Sequence, residues 1–243
     1  MKPRILFYDI ETRPMVAEVW GLYDQNIGLN QVRQFGGVLC FAAKWHGESK
    51  VHFHAEWKDG LEGMLSAMHR LWSEADAICG YNNFKFDDKK MRWQFIKAGM
   101  EPPPPVASID LYKTVSQQFG PDSKKLDHVA AESGVGSKIK HEGHSLWTRC
   151  LEGDEKALRM MERYNKQDVR LTEKVYKKLR PYIRNHPHLG IGNSDACPAC
   201  GSLNVQKRGY AFTRSFQIQR LQCRDCSHWY QGKRSKRTVR DVA

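Results

Sequence analysis

The sequence lacks any apolar run of the roughly 20 residues that crossing a bilayer requires. Its first residues, MKPRILFYDIE, also lack the long apolar stretch of a secretory signal peptide. No internal repeat is visible along the chain. These absences argue against a membrane-spanning, secreted or repeat protein, and we expect a cytoplasmic protein that does not bind membranes.

Acidic residues are in the minority. Lysine and arginine number 39 against 27 aspartates and glutamates, which gives a formal net charge of +12. More than half of this excess lies from His188 onward, where ten basic residues accompany three acidic ones. A positive excess of this size indicates a polyanionic partner, because charge supplies affinity for one without identifying it. Simple solubility is the alternative explanation, and a mean hydropathy of −0.65 is compatible with it.

The length and apolar content are enough for one sizeable domain with a small appendage, since 40% of the 243 residues are hydrophobic. Three strand patterns come first, and helical and strand patterns then alternate. This order predicts an α/β fold with a mixed β-sheet flanked by helices. Clustered Pro, Gly, Asn and Ser then indicate a break. The predicted units are a main domain over 1–187, a linker over 188–195, a cysteine-containing unit over 196–231 and a basic tail over 232–243.

Four of the seven cysteines form two C-x-x-C pairs, Cys197 with Cys200 and Cys223 with Cys226. Two thiolates three residues apart in a tight turn bind one metal from two corners, and a second pair completes a tetrahedron. A unit this short cannot build a core of its own, so a metal would hold it together. Two disulfides are the alternative, which is uncommon in intracellular proteins. We therefore expect one structural Zn²⁺ bound by the four cysteines.

The stretch between the two cysteine pairs alternates apolar or aromatic residues with Arg, Lys and Gln. It resembles the zinc ribbons of nucleic-acid enzymes and of some transposase-like proteins. Cations for phosphates and aromatic faces for bases on one hairpin would make a nucleic-acid surface. The alternative is a purely structural or protein-docking ribbon. The candidate substrate-binding residues here are Lys207, Arg208, Arg214 and Arg220.

Four carboxylates and a tyrosine lie at sequence positions that favour one shared site. Asp9 and Glu11 lie two apart at the end of the first predicted strand, and such side chains point to the same face. Asp87 begins a predicted helix, and Tyr164 and Asp168 are one helical turn apart. Each has a structural alternative: the helix dipole favours an acid at a helix start, and an acid within a helix can pair with arginine. Their combination favours a shared site.

In order, the segments DIE, YNNFKFD and YNKQD resemble the three sequence motifs of DnaQ-like 3′–5′ exonucleases, the DEDD group with a ribonuclease H-like fold. Tyr164 is similar to the tyrosine of the DEDDy branch, whereas the DEDDh branch has a histidine one residue earlier, where this chain has Arg163. The resemblance extends from about Arg4 to Pro181. The wider stretches LDHVAAESGVGSKIKH and YNKQDVRLTEKVYKKLRPYI look like stand-alone phage or bacterial members that sometimes carry a C-terminal zinc ribbon, which implies the cytoplasm of a bacterial or phage-infected cell.

The resemblance implies a metal-dependent exonuclease that hydrolyses mostly single-stranded DNA and releases nucleoside 5′-monophosphates. It also implies two Mg²⁺ or Mn²⁺ ions, hard cations that prefer carboxylate oxygens. Asp9 would bridge both ions, Glu11 and Asp168 would complete the nucleophile-side site, and Asp87 would hold the second ion. A phenol with a pKa near 10 is a poor base at neutral pH. Tyr164 would therefore orient the attacking water.

The neighbouring Asp88 could take the place of Asp87, but the FD pattern of the family favours Asp87. The resemblance also implies contacts between substrate and residues near the first two motifs. These residues are Thr12, Trp20, Tyr23 and Asn82.

Two other functions use the same features. A nuclease-like scaffold with a ribbon could recruit nucleic acid without cutting it, although such a protein has no evident need for four acids beside a polyanion. The site could also serve an RNA-directed or structure-specific endonuclease. The expected partner is nucleic acid, DNA rather than RNA, with a replication or repair protein as a further candidate.

Overall fold

The computed structural model describes residues 3–184, 186–190, 193 and 195–236. The elements in chain order are β1 (Ile5–Arg13), β2 (Val16–Ala17), β3 (Val32–Gln34), β4 (Gly37–Trp45), β5 (His52–Ala55), α1 (Glu56–Ser73), β6 (Ala77–Gly80), α2 (Asp87–Lys97), β7 (Ala107–Asp110), α3 (Leu111–Gln118), α4 (Leu126–Glu132), α5 (His144–Leu151), α6 (Glu155–Leu179), β8 (Val205–Phe212), β9 (Phe216–Cys223) and β10 (Trp229–Lys236).

Five strands form one mixed sheet in the order β5-β4-β1-β6-β7. Strand β1 pairs antiparallel with β4 and parallel with β6, and β6 pairs parallel with β7. Side chains alternate along β1, so Phe7 packs with α3, α4, α5 and α6 on one face, and Tyr8 packs with α1 and α2 on the other. The predicted α/β fold with a helix-flanked mixed sheet is confirmed, and its topology is ribonuclease H-like.

The longest helix, α6, holds the third motif against the sheet. It has 25 residues, and the side chain of Asp154 caps its N-terminus. This carboxylate accepts hydrogen bonds from the backbone N–H groups of Lys156 and Ala157. Farther along, Glu173 is buried and accepts a hydrogen bond from Lys44 of β4. Breaking a buried ion pair leaves an uncompensated charge, so this contact fixes the helix on the sheet.

Strand β7 ends at Asp110, although the apolar pattern of the segment VASIDLY continues beyond it. Asp110 terminates β7 because its side chain accepts a hydrogen bond from the N–H of Lys113 and caps α3. The same carboxylate accepts hydrogen bonds from the N–H groups of Asn82 and Phe84, at 3.0 and 3.3 Å. Asp110 therefore fixes the loop between β6 and α2, which leads to Asp87.

The C-terminal unit is an antiparallel ribbon in the order β10-β9-β8. Residues 232–236, predicted as the start of a basic tail, instead extend β10, because Arg234 pairs with Ile218 and Lys236 with Phe216. The rest of that predicted tail, 237–243, lies outside the described residues. The imidazole of His228 forms a hydrogen bond of 3.1 Å with the carbonyl of Arg180, so the ribbon contacts the end of α6.

Within the part of the chain that the structure describes, none of the helices combines the length and apolar character needed to cross a membrane.

Candidate active site

Three of the predicted metal ligands lie together. The nearest carboxylate oxygens of Asp9, Glu11 and Asp168 all lie within 4.8 Å of one another. Asp9 and Glu11 share one face of β1, and α6 supplies Asp168 from a distant part of the sequence. Asp168 is only 1% exposed, so its charge is largely withdrawn from water. Carboxylates this close repel one another unless protons or cations intervene.

Asp87 lies beside this group but is not part of it. Its Oδ1 accepts a hydrogen bond of 3.1 Å from the backbone N–H of Ile10, the residue between Asp9 and Glu11. This bond joins the first turn of α2 to the strand that bears the other acids. The structure therefore brings Asp87 to the edge of the cluster, where its charge acts on Asp9.

Asp88 has a different environment, and its partners distinguish it from Asp87. It accepts hydrogen bonds from the hydroxyl of Tyr8, from the amide of Asn83 at 3.0 Å and from the hydroxyl of Ser108 at 2.9 Å. Asp88 is 1% exposed and faces the packed interior between β1, β7 and α2. Its oxygens are thus used to hold these elements together, which leaves Asp87 as the better candidate ligand.

Burial makes the acids of the cluster hard to ionise. It raises the pKa of Asp9 well above its ordinary value, and the charges of Asp87, Glu11 and Asp168 add to the effect. Burial, followed by the charge of Asp168, raises the pKa of Glu11 to about 8. Burial likewise raises the pKa of Asp87 to about 7. Such a group of carboxylates gains most from a bound cation, which favours the ionised forms.

Lys138, which the sequence analysis did not identify, reaches into the cluster from the connection between α4 and α5. Its ammonium group donates hydrogen bonds to Asp168 and, at 3.0 Å, to the hydroxyl of Tyr164. Burial opposes its charge, but the charge of the adjacent Asp168 outweighs burial and raises the pKa of Lys138 above its ordinary value. Lys138 is therefore a fixed cation beside the acids.

Asn165 is a second residue that sequence reasoning missed. Its amide nitrogen donates a hydrogen bond of 2.8 Å to Oδ2 of Asp9 and one of 3.2 Å to the carbonyl of the same residue. Asn165 follows Tyr164 in the YNKQD segment, and that position was the available signal. It orients Asp9 from the neighbouring helix.

The cluster fits divalent metal ions by its chemistry. Oδ1 of Asp168 is buried without a hydrogen-bond partner in the described structure, and so is Oδ1 of Asn165. A buried carboxylate oxygen without a partner costs free energy, which a bound cation would recover. The donors are all oxygens, which hard cations such as Mg²⁺ and Mn²⁺ prefer.

Tyr164 is held by aromatic neighbours. The ring centroid of His141 lies 4.7 Å from that of Tyr164, with the two rings edge to face, and the ring centroid of Trp147 lies 6.3 Å from it. Burial and then the charge of Asp168 raise the pKa of Tyr164 above its ordinary value. The phenol is therefore protonated at neutral pH and has a fixed orientation.

A cleft of about 490 Å³ opens beside Asp9. Basic residues are prominent in its wall although the cluster itself is acidic. Its lining comprises Asp9, Tyr81, Asn82, Tyr112, Lys124, Lys125, Leu126, Asp127 and Lys138. A cleft with cations near carboxylates suits a phosphate-bearing ligand.

The predicted substrate contacts divide into two groups. Asn82 lines the cleft, and Thr12 lies partly buried on β1. Trp20 and Tyr23 lie between β2 and β3, and their side chains are 99% and 83% exposed. They are not part of the cleft wall, and their contact with substrate remains a prediction.

The four ribbon cysteines come together in the structure. One sulfur atom from each of Cys197, Cys200, Cys223 and Cys226 lies within 4.8 Å of the others, and all four thiols are free. The alternative of two disulfides is thus wrong. A closed set of four thiols is typical of a structural Zn²⁺ site.

The four basic residues predicted to bind substrate on the ribbon do not share one surface. Lys207 pairs with Leu221 of β9, whereas Arg208 donates a hydrogen bond of 3.1 Å to Gln222, so the two point to opposite faces. Arg220 is on the same face as Arg208 because it lies two residues before Gln222. Arg214 lies in the turn between β8 and β9.

A comparison with protein families agrees with this geometry. The family model described as RNase_H superfamily matches residues 6–180. The match covers the five-stranded sheet and its flanking helices, and therefore all four acids, two on β1, one on α2 and one on α6. No curated protein matches the chain significantly. A domain of this type is a nuclease-like scaffold and implies a nucleic-acid substrate. The chain belongs to the RNase H superfamily.

Proposed function

We propose that the chain is a metal-dependent 3′–5′ exonuclease of the DEDDy type, which hydrolyses single-stranded DNA and releases nucleoside 5′-monophosphates. One observation carries the proposal: Asp9, Glu11 and Asp168 converge within 4.8 Å, with Tyr164 one helical turn from Asp168. An acidic cluster beside a basic cleft is poorly suited to a protein that only binds a polyanion. The same arrangement suits a protein that uses bound cations to cut the polyanion.

Asp9, Glu11 and Asp168 would hold one Mg²⁺ or Mn²⁺ ion, and Asp9 with Asp87 would hold a second. Bound ions of this kind polarise the scissile phosphate and lower the pKa of a water molecule. Asn165 would hold the carboxylate of Asp9 in position through its 2.8 Å hydrogen bond to Oδ2. The N–H of Ile10 does the same for Asp87.

Tyr164 and Lys138 act on the reactants rather than as bases. A phenol whose pKa is raised keeps its proton at neutral pH, so Tyr164 can donate a hydrogen bond that orients a water molecule but cannot remove its proton. Lys138 keeps its charge beside Asp168 and the Tyr164 hydroxyl. Its ammonium group is therefore placed to neutralise negative charge that develops at the phosphate.

The cleft would receive the 3′ end of the strand. Lys124 and Lys125 lie in its wall near Asp9 and can contact backbone phosphates. The rings of Tyr81 and Tyr112 line the same space, with their centroids 6.0 Å apart. An unpaired base can stack on such rings, whereas a paired base cannot leave its helix without cost. This favours single strands as the substrate.

The ribbon would contain one structural Zn²⁺ on its four cysteines, as a unit that begins at 196 and includes β10 to Lys236, joined to the 1–187 domain by the 188–195 linker. We place the protein in the cytoplasm of a bacterial or phage-infected cell because of its resemblance to phage and bacterial exonucleases, and free thiols agree with a reducing compartment. A replication or repair protein is a further candidate partner.

The test uses single-stranded oligonucleotides labelled at the 5′ end, with Mg²⁺ and under single-turnover conditions. The wild type should shorten them stepwise from the 3′ end and leave circular single-stranded DNA intact. Glu11→Gln should lose at least about 100-fold in rate, since it removes a charge from the cluster. Glu62→Gln, the same change at an exposed position of α1, is the control. Cutting of the circle, or equal rates for both variants, would refute the proposal.

A further inference from the structure

The ribbon has two chemically different faces. Alternate residues of the central strand β9 point to the same side, so Phe216, Ile218, Arg220 and Gln222 share one face. Four charged or aromatic residues of the outer strands belong to this face through pairing or hydrogen bonding with β9. They are Arg208, Trp229, Arg234 and Lys236. We call this surface the basic ribbon face.

The cations of the basic ribbon face have no carboxylate partners in the described structure. Arg208, Arg220, Arg234 and Lys236 are exposed, and none of them takes part in an ion pair among the described residues. The nearby Asp225 is engaged by the side chains of Ser202 and Asn204 instead. Unpaired surface cations held on a strand array attract a polyanion.

Aromatic rings lie between these cations. The guanidinium carbon of Arg234 is 3.6 Å from the ring centroid of Phe216, and that of Arg208 is 5.9 Å from the ring centroid of Trp229. Trp229 is nevertheless 44% exposed, so part of its indole face remains free. Arginine planes and exposed rings in alternation offer stacking surfaces for bases as well as charges for phosphates.

The opposite face is unlike this one. Lys207 points there, opposite Leu221, and lines a separate cavity of about 630 Å³ with Val205 and Tyr230. The charge of the ribbon is thus divided between the basic ribbon face, which bears the arginines, and a cavity lined by Lys207 and Lys233. Exposed rings occur on that side too, at Tyr210 and Phe212, but the contacts between an arginine and a ring that the described ribbon shows lie on the basic ribbon face.

From this arrangement we propose that the basic ribbon face binds single-stranded polynucleotide, with the arginines on phosphates and Trp229 stacked on an unpaired base. A duplex keeps its base faces covered by neighbouring pairs, so a free indole face favours unpaired bases. An acidic protein would satisfy the cations but not the rings. This binding site is separate from the acidic cluster. The proposal rests on the proposed function only in assuming that the polynucleotide bound by the basic ribbon face is also the substrate that the nuclease cuts.

The test measures binding of the full-length, zinc-loaded protein to a fluorescent oligothymidylate of about 20 nucleotides, without added Mg²⁺ or chelator. Trp229→Ala should weaken binding about 5- to 100-fold, and Trp229→Phe should restore most of it. Arg220→Gln and Arg234→Gln should weaken binding, and each should lower the slope of log affinity against log salt by about 0.7. Lys207→Gln, which removes the same charge from the opposite face, should have little effect.

Four outcomes would overturn the proposal: equal losses for Lys207→Gln and Arg220→Gln, no loss for Trp229→Ala, equal affinity for duplex DNA, or equal competition by polyglutamate. Matched DNA and RNA oligonucleotides identify the sugar that the face prefers, and tight binding of either supports it. Zinc content and circular dichroism show whether each variant is folded. If the variants of the basic ribbon face and Lys207→Gln bind alike, the proposed nuclease activity is still tested by hydrolysis. If no hydrolysis occurs, the comparison of binding between these variants still tests the ribbon.

Discussion

Lys138 donates a hydrogen bond to Asp168, so a buried carboxylate of the acidic cluster already has a cation beside it. The two residues are 30 positions apart and belong to a loop and a helix. A lysine at this place has two opposite effects. It stabilises the ionised cluster without metal, and its positive charge on Oδ2 of Asp168 opposes the binding of a metal ion to the same carboxylate.

We therefore predict that Lys138→Gln lowers the Mg²⁺-saturated rate about 10- to 100-fold while the protein binds Mn²⁺ more tightly than the wild type. The rate falls because a charge near the phosphate is lost, and metal binding improves because no ammonium group then repels a cation at Asp168. Single-turnover kinetics and calorimetric titration with Mn²⁺ measure the two effects. Lys140→Gln, an exposed neighbour in the same loop, should change neither. Weaker Mn²⁺ binding by Lys138→Gln would contradict this role.

Asn165→Ala should lower the rate about tenfold and raise the Mg²⁺ concentration needed for half-maximal activity. Without the 2.8 Å hydrogen bond from Asn165, Asp9 can turn away from the cluster. A titration of rate against Mg²⁺ concentration checks the expectation, with thermal unfolding as the control for stability. A variant with a normal Mg²⁺ dependence would show that Asn165 only supports the fold.

The stability of the protein without Mg²⁺ should fall as the pH rises from about 5 to 8. Burial raises the pKa of Glu11 to about 8 and that of Asp87 to about 7. An acid whose pKa is higher in the folded state stabilises the fold below its unfolded pKa of about 4, and this contribution is lost as the pH rises through the folded value. The loss is at most about 1.4 kcal/mol per pH unit for each such carboxyl.

Urea unfolding between pH 6 and 8, with zinc retained, measures this dependence. Glu11→Gln should show a flatter profile, because the glutamine has no proton to lose. Added Mg²⁺ should flatten the wild-type profile as well, since it binds the ionised cluster of the folded state. Identical profiles for wild type and variant would mean that Glu11 ionises freely in the folded protein.

The ribbon should contain one zinc ion per chain, and Cys200→Ser should lose it together with thermal stability of the ribbon. The four sulfur atoms already lie within 4.8 Å of one another, but such a short unit has little core to replace the metal. Elemental analysis and circular dichroism during heating measure both effects. Cys150→Ser, a cysteine of α5 outside the cluster, should keep the zinc.

Sequence periodicity was enough to predict the sheet and the side of β1 on which Asp9 and Glu11 lie. Alternation along a strand is a local property, and the apolar run around it indicated burial. That α6 returns Asp168 to the same place was expected from the resemblance to exonucleases, because local patterns carry no information on distant contacts. The choice of Asp87 over Asp88 also came from the family pattern, and the structure gives its reason in the partners of Asp88.

Lys138 could not be foreseen, since it lies in a connection without helical or strand periodicity among many other lysines. The faces of the ribbon were also beyond the sequence. Lys207 and Arg208 are adjacent and chemically alike, and only their pairing with β9 separates them. The register shift between Lys207 and Tyr210 further changes which residues follow Arg208 on its face. Strand pairing of this kind depends on the turn and the partner strand, not on composition.

Diffraction from crystals soaked with Mn²⁺, recorded at the manganese absorption edge, tests the central claim most directly. The account predicts an anomalous peak among the carboxylates of Asp9, Glu11 and Asp168, with the ammonium group of Lys138 displaced from Asp168. The account would be contradicted if, at Mn²⁺ concentrations that saturate catalysis, no anomalous peak appeared among these carboxylates and the density showed Lys138 still bound to Asp168.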